Sequence, residues 1–150
     1  MHLPSYYFLE VSDHHSVFKF ISSGPNGDVI KLIIFTEFNP TRKIYNLALV
    51  DVIENDKISD KNLSNNGDIR KILATVAQAI INYTSTFPDR TIYFEGSDEQ
   101  GKRTSVYNAA IRKYFYILEK DFYIEGYLNE KVKEKFNPLK TYKGFLVKRK

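Results

Sequence analysis

"VFKFISSGPNGDVIKLIIFTEFNPTRKIYNLALVDV", Val17 to Val52, contains three apolar stretches separated by two short polar joints. Val17–Ser22 alternates apolar and polar residues, the period of a half-buried strand. "SGPNGD" (Ser23–Asp28) is turn chemistry, with glycine and asparagine available for positive φ. "VIKLIIFTEF" reads as a longer strand and "KIYNLALVDV" (Lys43–Val52) as another, with "NPTR" turning the chain between them. Links this short favour antiparallel neighbours. "YYFLEV" (Tyr6–Val11) reads as a strand that "SDHHS" interrupts. The first third is therefore expected to be a four-stranded antiparallel meander.

Beyond Val52, "IENDKISDKNLSNNGD" has no apolar periodicity and reads as a polar loop ending in a helix start. Asn66 can cap, Gly67 eases the bend, and Asp68 faces the positive helix end. Ile69, Ile72, Leu73, Val76, Ala77, Ile80, Tyr83 and Phe87 then recur at helical spacing, and Pro88 stops the helix. "RTIYFEG" (Arg90–Gly96) reads as a strand. "TSVYNAAIRKYFYILEKD" reads as a second helix, with Tyr107, Ala110, Ile111, Tyr114 and Leu118 inward and Asn108, Arg112, Lys113 and Glu119 outward. "FYIEGYL" and "YKGFLVKRK" read as two strands, with "NEKVKEKFNPLKT" a polar connection between them. The sequence predicts a single α+β domain over residues 1–150. Its order is a four-stranded meander, helix, strand, helix and two strands, giving a mostly antiparallel sheet with two helices on one face.

Composition narrows the function classes. The chain has 11 Tyr, 11 Phe, no Trp and no Cys. Without cysteine there is no disulfide framework, no thiolate nucleophile and no cysteine-based zinc site. That fits a reducing compartment. No apolar run approaches the roughly 20 residues of a membrane span, and the N-terminus lacks the pattern of a secretory signal. A cytoplasmic protein with no membrane partner is expected. The net charge of +4 is unevenly spread. Residues 1–100 hold 9 Lys+Arg and 13 Asp+Glu, whereas residues 101–150 hold 13 and 5. A half with a net charge of +8 attracts polyanions.

"FEGSDEQGKRTSVYN" (Phe94–Asn108) places small and basic residues at a strand-to-helix corner. Exposed N–H groups at the helix start, with Lys102 and Arg103, would hold a phosphate, and Thr104 or Ser105 would add a hydroxyl. The same Thr104 or Ser105 also reads as an ordinary N-cap. Gly96, Gly101 and Lys102 have Walker-like spacing, but Arg103 stands where that loop needs a hydroxyl to hold magnesium. Asp13-His14-His15 resembles one motif of a metal phosphoesterase family, yet neighbouring strand residues point to opposite faces, and the better reading is a turn. Tyr6, Tyr7, Phe8, Phe18, Phe20 and Phe35, interleaved with Lys19 and Lys31, could stack unpaired bases. Phe18, Phe20 and Phe35 read more naturally as core. Carboxylate pairs such as Asp51 with Glu54 read as loop and solubility residues.

"FISSGPNGDVIKLIIF", "YNLALVDV", "LSNNGDIRKILATVAQAI", "YFEGSDEQGKRTSVYNAAI" and "YKGFLVKRK" together resemble, in order and over nearly the whole chain, a family of small bacterial proteins of unknown function. On that resemblance Ser97, Arg103, Thr104 and Tyr107 fall on motif positions, and "DEQGK" is an insertion-like departure at the corner. The resemblance implies no activity. Four strands followed by a helix is also similar to one repeat of the PUR and Whirly single-strand-binding folds, although the second half does not repeat that order.

The sequence therefore predicts a non-catalytic, single-stranded nucleic-acid-binding protein. Ser97, Lys102, Arg103, Thr104, Tyr107, Arg112 and Lys113 are its candidate contacts. No catalytic residue, metal ligand or cofactor is assigned. The alternatives are a metal-independent ribonuclease-type toxin, with Arg103 stabilising phosphate charge and Tyr107 as acid or base, and an interaction module for an acidic protein partner.

Overall fold

The computed structural model describes residues 4–25, 27–52, 58–59, 67–96 and 102–150; for 58–59 and 102–106 it describes the backbone only. Within them the chain is α+β. Nine strands run β1 (Glu10–Val11), β2 (Val17–Gly24), β3 (Gly27–Asn39), β4 (Ile44–Val52), β5 (Ile58–Ser59), β6 (Thr91–Glu95), β7 (Phe122–Tyr127), β8 (Lys133–Lys135) and β9 (Gly144–Arg149). Two helices, α1 (Ile69–Thr86) and α2 (Lys102–Leu118), follow β5 and β6. The β1–β2, β2–β3, β4–β5, β6–β9, β7–β9 and β7–β8 ladders are antiparallel, and the β4–β6 pair is parallel. Two compact units divide the chain, Met1–Thr36 with Leu47–Thr86 and Glu37–Asn46 with Phe87–Lys150.

In the first unit the strands lie in the order β1-β2-β3-β4, with β5 also on β4. The β2–β3 hairpin closes at Gly24 opposite Gly27, whose φ of 90° only glycine adopts cheaply. Phe18, Phe20 and Ser22 are buried on β2, as are their partners Ile33 and Lys31 on β3. Phe35 on the same face stacks flat on Tyr83 of α1, at 3.9 Å between centroids. The buried stripe of α1 is Ile72, Ala74, Thr75, Val76, Ala79, Ile80, Tyr83 and Thr84. Ile69 is exposed, and Leu73 and Ala77 are only half-buried, so the stripe is rotated from the one read in the sequence. Thr75 and Thr84 can join it because each hydroxyl donates to a carbonyl four residues back, both at 2.7 Å.

Three further expectations for this unit are corrected. Tyr6, Tyr7 and Phe8 precede β1 rather than forming it. Tyr6 bridges to α1 instead: its N–H donates to Thr75 Oγ1 (2.9 Å) and its hydroxyl to Asp68 Oδ2 (2.5 Å). A piece of the supposed polar loop pairs with β4 as β5. Lys31 and Asp51 are not surface or loop residues. Both are buried and form an ion pair with each other. The suggested cap, Asn66, lies outside the described residues.

In the second unit the order is β4-β6-β9-β7-β8, entered through Ile44–Asn46 of β4, which pair with Thr91–Tyr93. Ile92, Phe94, Phe122, Ile124, Phe145 and Val147 share one face by register and are buried. Helix α2 covers that face: Tyr107 meets Phe94 edge to face, and Phe115 meets Phe136. Its inward set is Tyr107, Ile111, Tyr114 and Leu118, as the spacing predicts, whereas Ala110, also expected inward, is only half-buried. Asn108 joins them, contrary to its expected outward position. Its amide donates to the Tyr142 carbonyl (2.6 Å) and accepts from the Tyr142 N–H (2.7 Å). The stretch read as a polar connection contains β8, which extends the sheet beyond β7. Helix α2 begins at Lys102, so Thr104 and Ser105 lie inside its first turn rather than at a cap.

Candidate nucleic-acid interface

Of the sequence-predicted contacts, Tyr107, Arg112 and Lys113 have described side chains. Ser97 lies outside the described residues. Lys102, Arg103 and Thr104 sit on the first turn of α2, where the backbone alone is described. Tyr107 is 5% exposed and its ring is a core contact of Phe94, not an open stacking platform. Arg112 holds a loop: its Nε donates to the Pro138 carbonyl at 2.9 Å, with a longer contact to the Lys140 carbonyl at 3.5 Å. Lys113 is exposed, with its ammonium 5.5 Å from the Tyr114 ring centroid.

His14 and His15 are exposed in a turn between β1 and β2. Ser12 Oγ accepts from the N–H groups of Ser16 and Val17, both at 3.0 Å, and His15 adopts φ 54°. This is the turn that the sequence suggests. Among the described residues no group of three or more His, Cys, Asp or Glu converges as a metal site. No described helix is long and apolar enough to cross a membrane.

A surface that the sequence reading missed lies on the other face of the second unit's sheet. Strand alternation that buries Phe122, Ile124 and Gly126 turns Tyr123, Glu125 and Tyr127 the opposite way. No described helix of this unit lies there. Register sets Lys148 beside Tyr123, Lys135 beside Glu125 and Lys133 beside Tyr127. Tyr123 is 61% exposed, and the Lys150 ammonium lies 5.3 Å from its ring centroid. Lys133 makes one ion pair here, with Glu125 at 3.7 Å.

Toward β6 the same face sinks into a cleft of about 450 Å³. Leu146 and Gly144 lie in its lining, with Phe38, Tyr93 and Tyr127 as aromatic walls. Phe38 stacks on Tyr93 (6.1 Å, 18°), and Tyr127 meets Tyr93 nearly at right angles (5.7 Å, 80°). Phe38 keeps 67% of its surface exposed. The Tyr93 hydroxyl donates to Glu95 Oε2 at 2.7 Å. Burial, then that hydrogen bond, push this hydroxyl above the ordinary phenol range, so it stays protonated and holds the carboxylate in place. Gly144 makes room for the arrangement, since a Cβ there would come within 3.0 Å of the Tyr93 oxygen. The legible signal for this face was the pair of alternations "YIEGY" and "KVKEK", which place tyrosine and lysine on a common side once the strands pair.

The chain belongs to a family of unknown function, DUF6934, whose model matches residues 2–150. No curated protein and no solved structure matches it.

Proposed function

We propose that the chain binds single-stranded nucleic acid, without turnover, on the open face of β6, β9, β7 and β8. The observation that carries this reading is the exposed Tyr123 ring with Lys148 beside it by register and the Lys150 ammonium 5.3 Å from its centroid, while Lys135 and Lys133 lie farther along the face beside Glu125 and Tyr127. Rings of this kind stack bases of any identity, and lysines beside them track the phosphates. The uneven charge of the chain supports the same partner, because 8 of its basic residues follow position 130 against a single acid, Glu134.

The test is a salt titration of affinity for a labelled mixed-sequence single strand. Removing Lys133, Lys148 and Lys150 together, each to Ala, should lower the slope of log affinity against log salt by about 2, because single strands release roughly 0.7 counterion per neutralised phosphate. Tyr123→Ala should weaken binding by about 1–3 kcal/mol, the range for loss of one stacked base. The paired change Lys102→Ala with Arg103→Ala is the comparison. If that variant flattens the slope and the triple variant does not, the contact lies at the start of α2 instead. A wild type that does not bind overturns the reading, and cleavage of the probe would replace it with a ribonuclease.

A further inference from the structure

We infer that the aromatic cleft beside the lysine-bearing strands takes one unpaired guanine base; this rests on the nucleic-acid reading and deepens it. The cleft differs in chemistry from the surface next to it. The outer strands offer lysines, but the cleft lining carries two carboxylates, Glu95 and Glu130, and one lysine, Lys143. A phosphate would be repelled by the carboxylates, whereas a base edge with N–H donors would be held.

Glu95 is already oriented. Tyr93 occupies one acceptor site of its Oε2, which leaves Oε1 and the second lone pair of Oε2 to accept two adjacent donors from a ligand. The exposed ring of Phe38 and the nearly perpendicular Tyr127 provide a platform and a wall for a flat aromatic group. Among the four bases, guanine presents two adjacent donors, N1–H and the N2 amino group, which match one carboxylate. Thymine and uracil offer a single N–H between two carbonyl oxygens that a carboxylate would repel. Adenine and cytosine offer an amino group next to a ring acceptor. On its other edge guanine presents O6 and N7, acceptors suited to a lysine. Lys143 supplies that cation, so the lining pairs carboxylate and ammonium as guanine pairs donor and acceptor edges.

The experiment compares affinities for labelled thymidine oligomers of about ten nucleotides whose central residue is thymine, adenine, cytosine, guanine or hypoxanthine. The guanine oligomer should bind about tenfold tighter than the all-thymine one, the scale of one good base-edge pair. Hypoxanthine, which lacks the N2 amino group, should lose most of that gain. Glu95→Gln should bring the guanine-to-thymine affinity ratio to about one. Equal binding of all five oligomers by the wild type overturns this inference and leaves the nucleic-acid reading standing. So does a guanine preference that survives in both Glu95→Gln and Glu130→Gln. Absence of any binding overturns both.

Discussion

Two buried contacts around Tyr142 show how single residues hold the second unit together. Gly126 on β7 lies directly under the Tyr142 ring, and a Cβ at that position would overlap the ring carbons. Tyr142 has nowhere to retreat. Its ring also packs on Phe136 and Phe145, its hydroxyl donates to Glu134 at 3.1 Å, and that oxygen accepts from the Asn137 N–H at 2.9 Å. Gly126→Ala should therefore cost about 1–3 kcal/mol, the usual penalty of overpacking. Urea melts would read it, and an unchanged midpoint would mean that the ring is not seated there. Asn108→Ala removes the partner of both backbone groups of Tyr142. Leaving a buried group unsatisfied costs about 1–3 kcal/mol, so the pair should cost about 2–6 kcal/mol. Asn108→Asp restores the acceptor but sets a second oxygen against the Tyr142 carbonyl, so it should recover only part of the loss. Full recovery in the same melts would show that only the Tyr142 N–H needs its partner.

At the scale of elements, the buried Lys31–Asp51 pair is the main polar feature inside the first unit. The two side chains hang from β3 and β4, and Lys31 occupies an inward position in register with Phe20. Breaking such a pair strands a charge and costs about 3–5 kcal/mol, whereas replacing both partners with apolar residues of similar size is often neutral or better. Lys31→Ala and Asp51→Ala should each unfold the protein much more easily than Lys31→Met with Asp51→Leu. Equal destabilisation of all three variants in chemical melts would show that the pair specifies packing that apolar residues cannot supply. This pair also marks the limit of what could be read from the sequence. Period-two alternation identifies β2, apolar stretches between turn residues identify β3, β4, β6, β7 and β9, and helical spacing with Pro88 bounds α1, because these signals are local. Parity along "VIKLIIF" puts Lys31 on the side of Ile33 and Phe35, but its partner lies 20 residues away on another strand. Strands β5 and β8 have two and three residues and exist only through pairing with longer neighbours. The candidate interface was hidden for the same reason. Tyr123 and Lys148 are 25 positions apart, and only the β7–β9 register makes them neighbours.

For the molecule as a whole, the described tyrosines give folding a direction of pH dependence. Burial pushes the hydroxyls of Tyr6, Tyr93 and Tyr142 above the ordinary phenol value of about 10, with Asp68, Glu95 and Glu134 as hydrogen-bonded acceptors adding to the effect. The folded chain therefore keeps these protons at pH values where the unfolded chain has begun to release them. Their contribution to stability is complete below about pH 10 and is lost as pH rises above it toward the raised folded values. Lys43 shifts in the same sense through its hydrogen bond to Asp89, so it reinforces the alkaline limb rather than opposing it. Glu134 acts at the other end of the scale. Lys140 holds its carboxyl below the usual range, so its contribution is present above about pH 4.5 and is lost as acid is added. Thermal midpoints should thus fall steadily from about pH 10 upward. Tyr93→Phe removes one raised hydroxyl while keeping its ring against Phe38 and Tyr127. That variant should be somewhat less stable than the wild type near neutrality, where Glu95 has lost its donor, and its midpoint should fall less steeply in alkali. Parallel alkaline limbs for the two proteins would show that Tyr93 ionises as readily when folded as when unfolded, and that Glu95 is not held by a persistent hydroxyl donor.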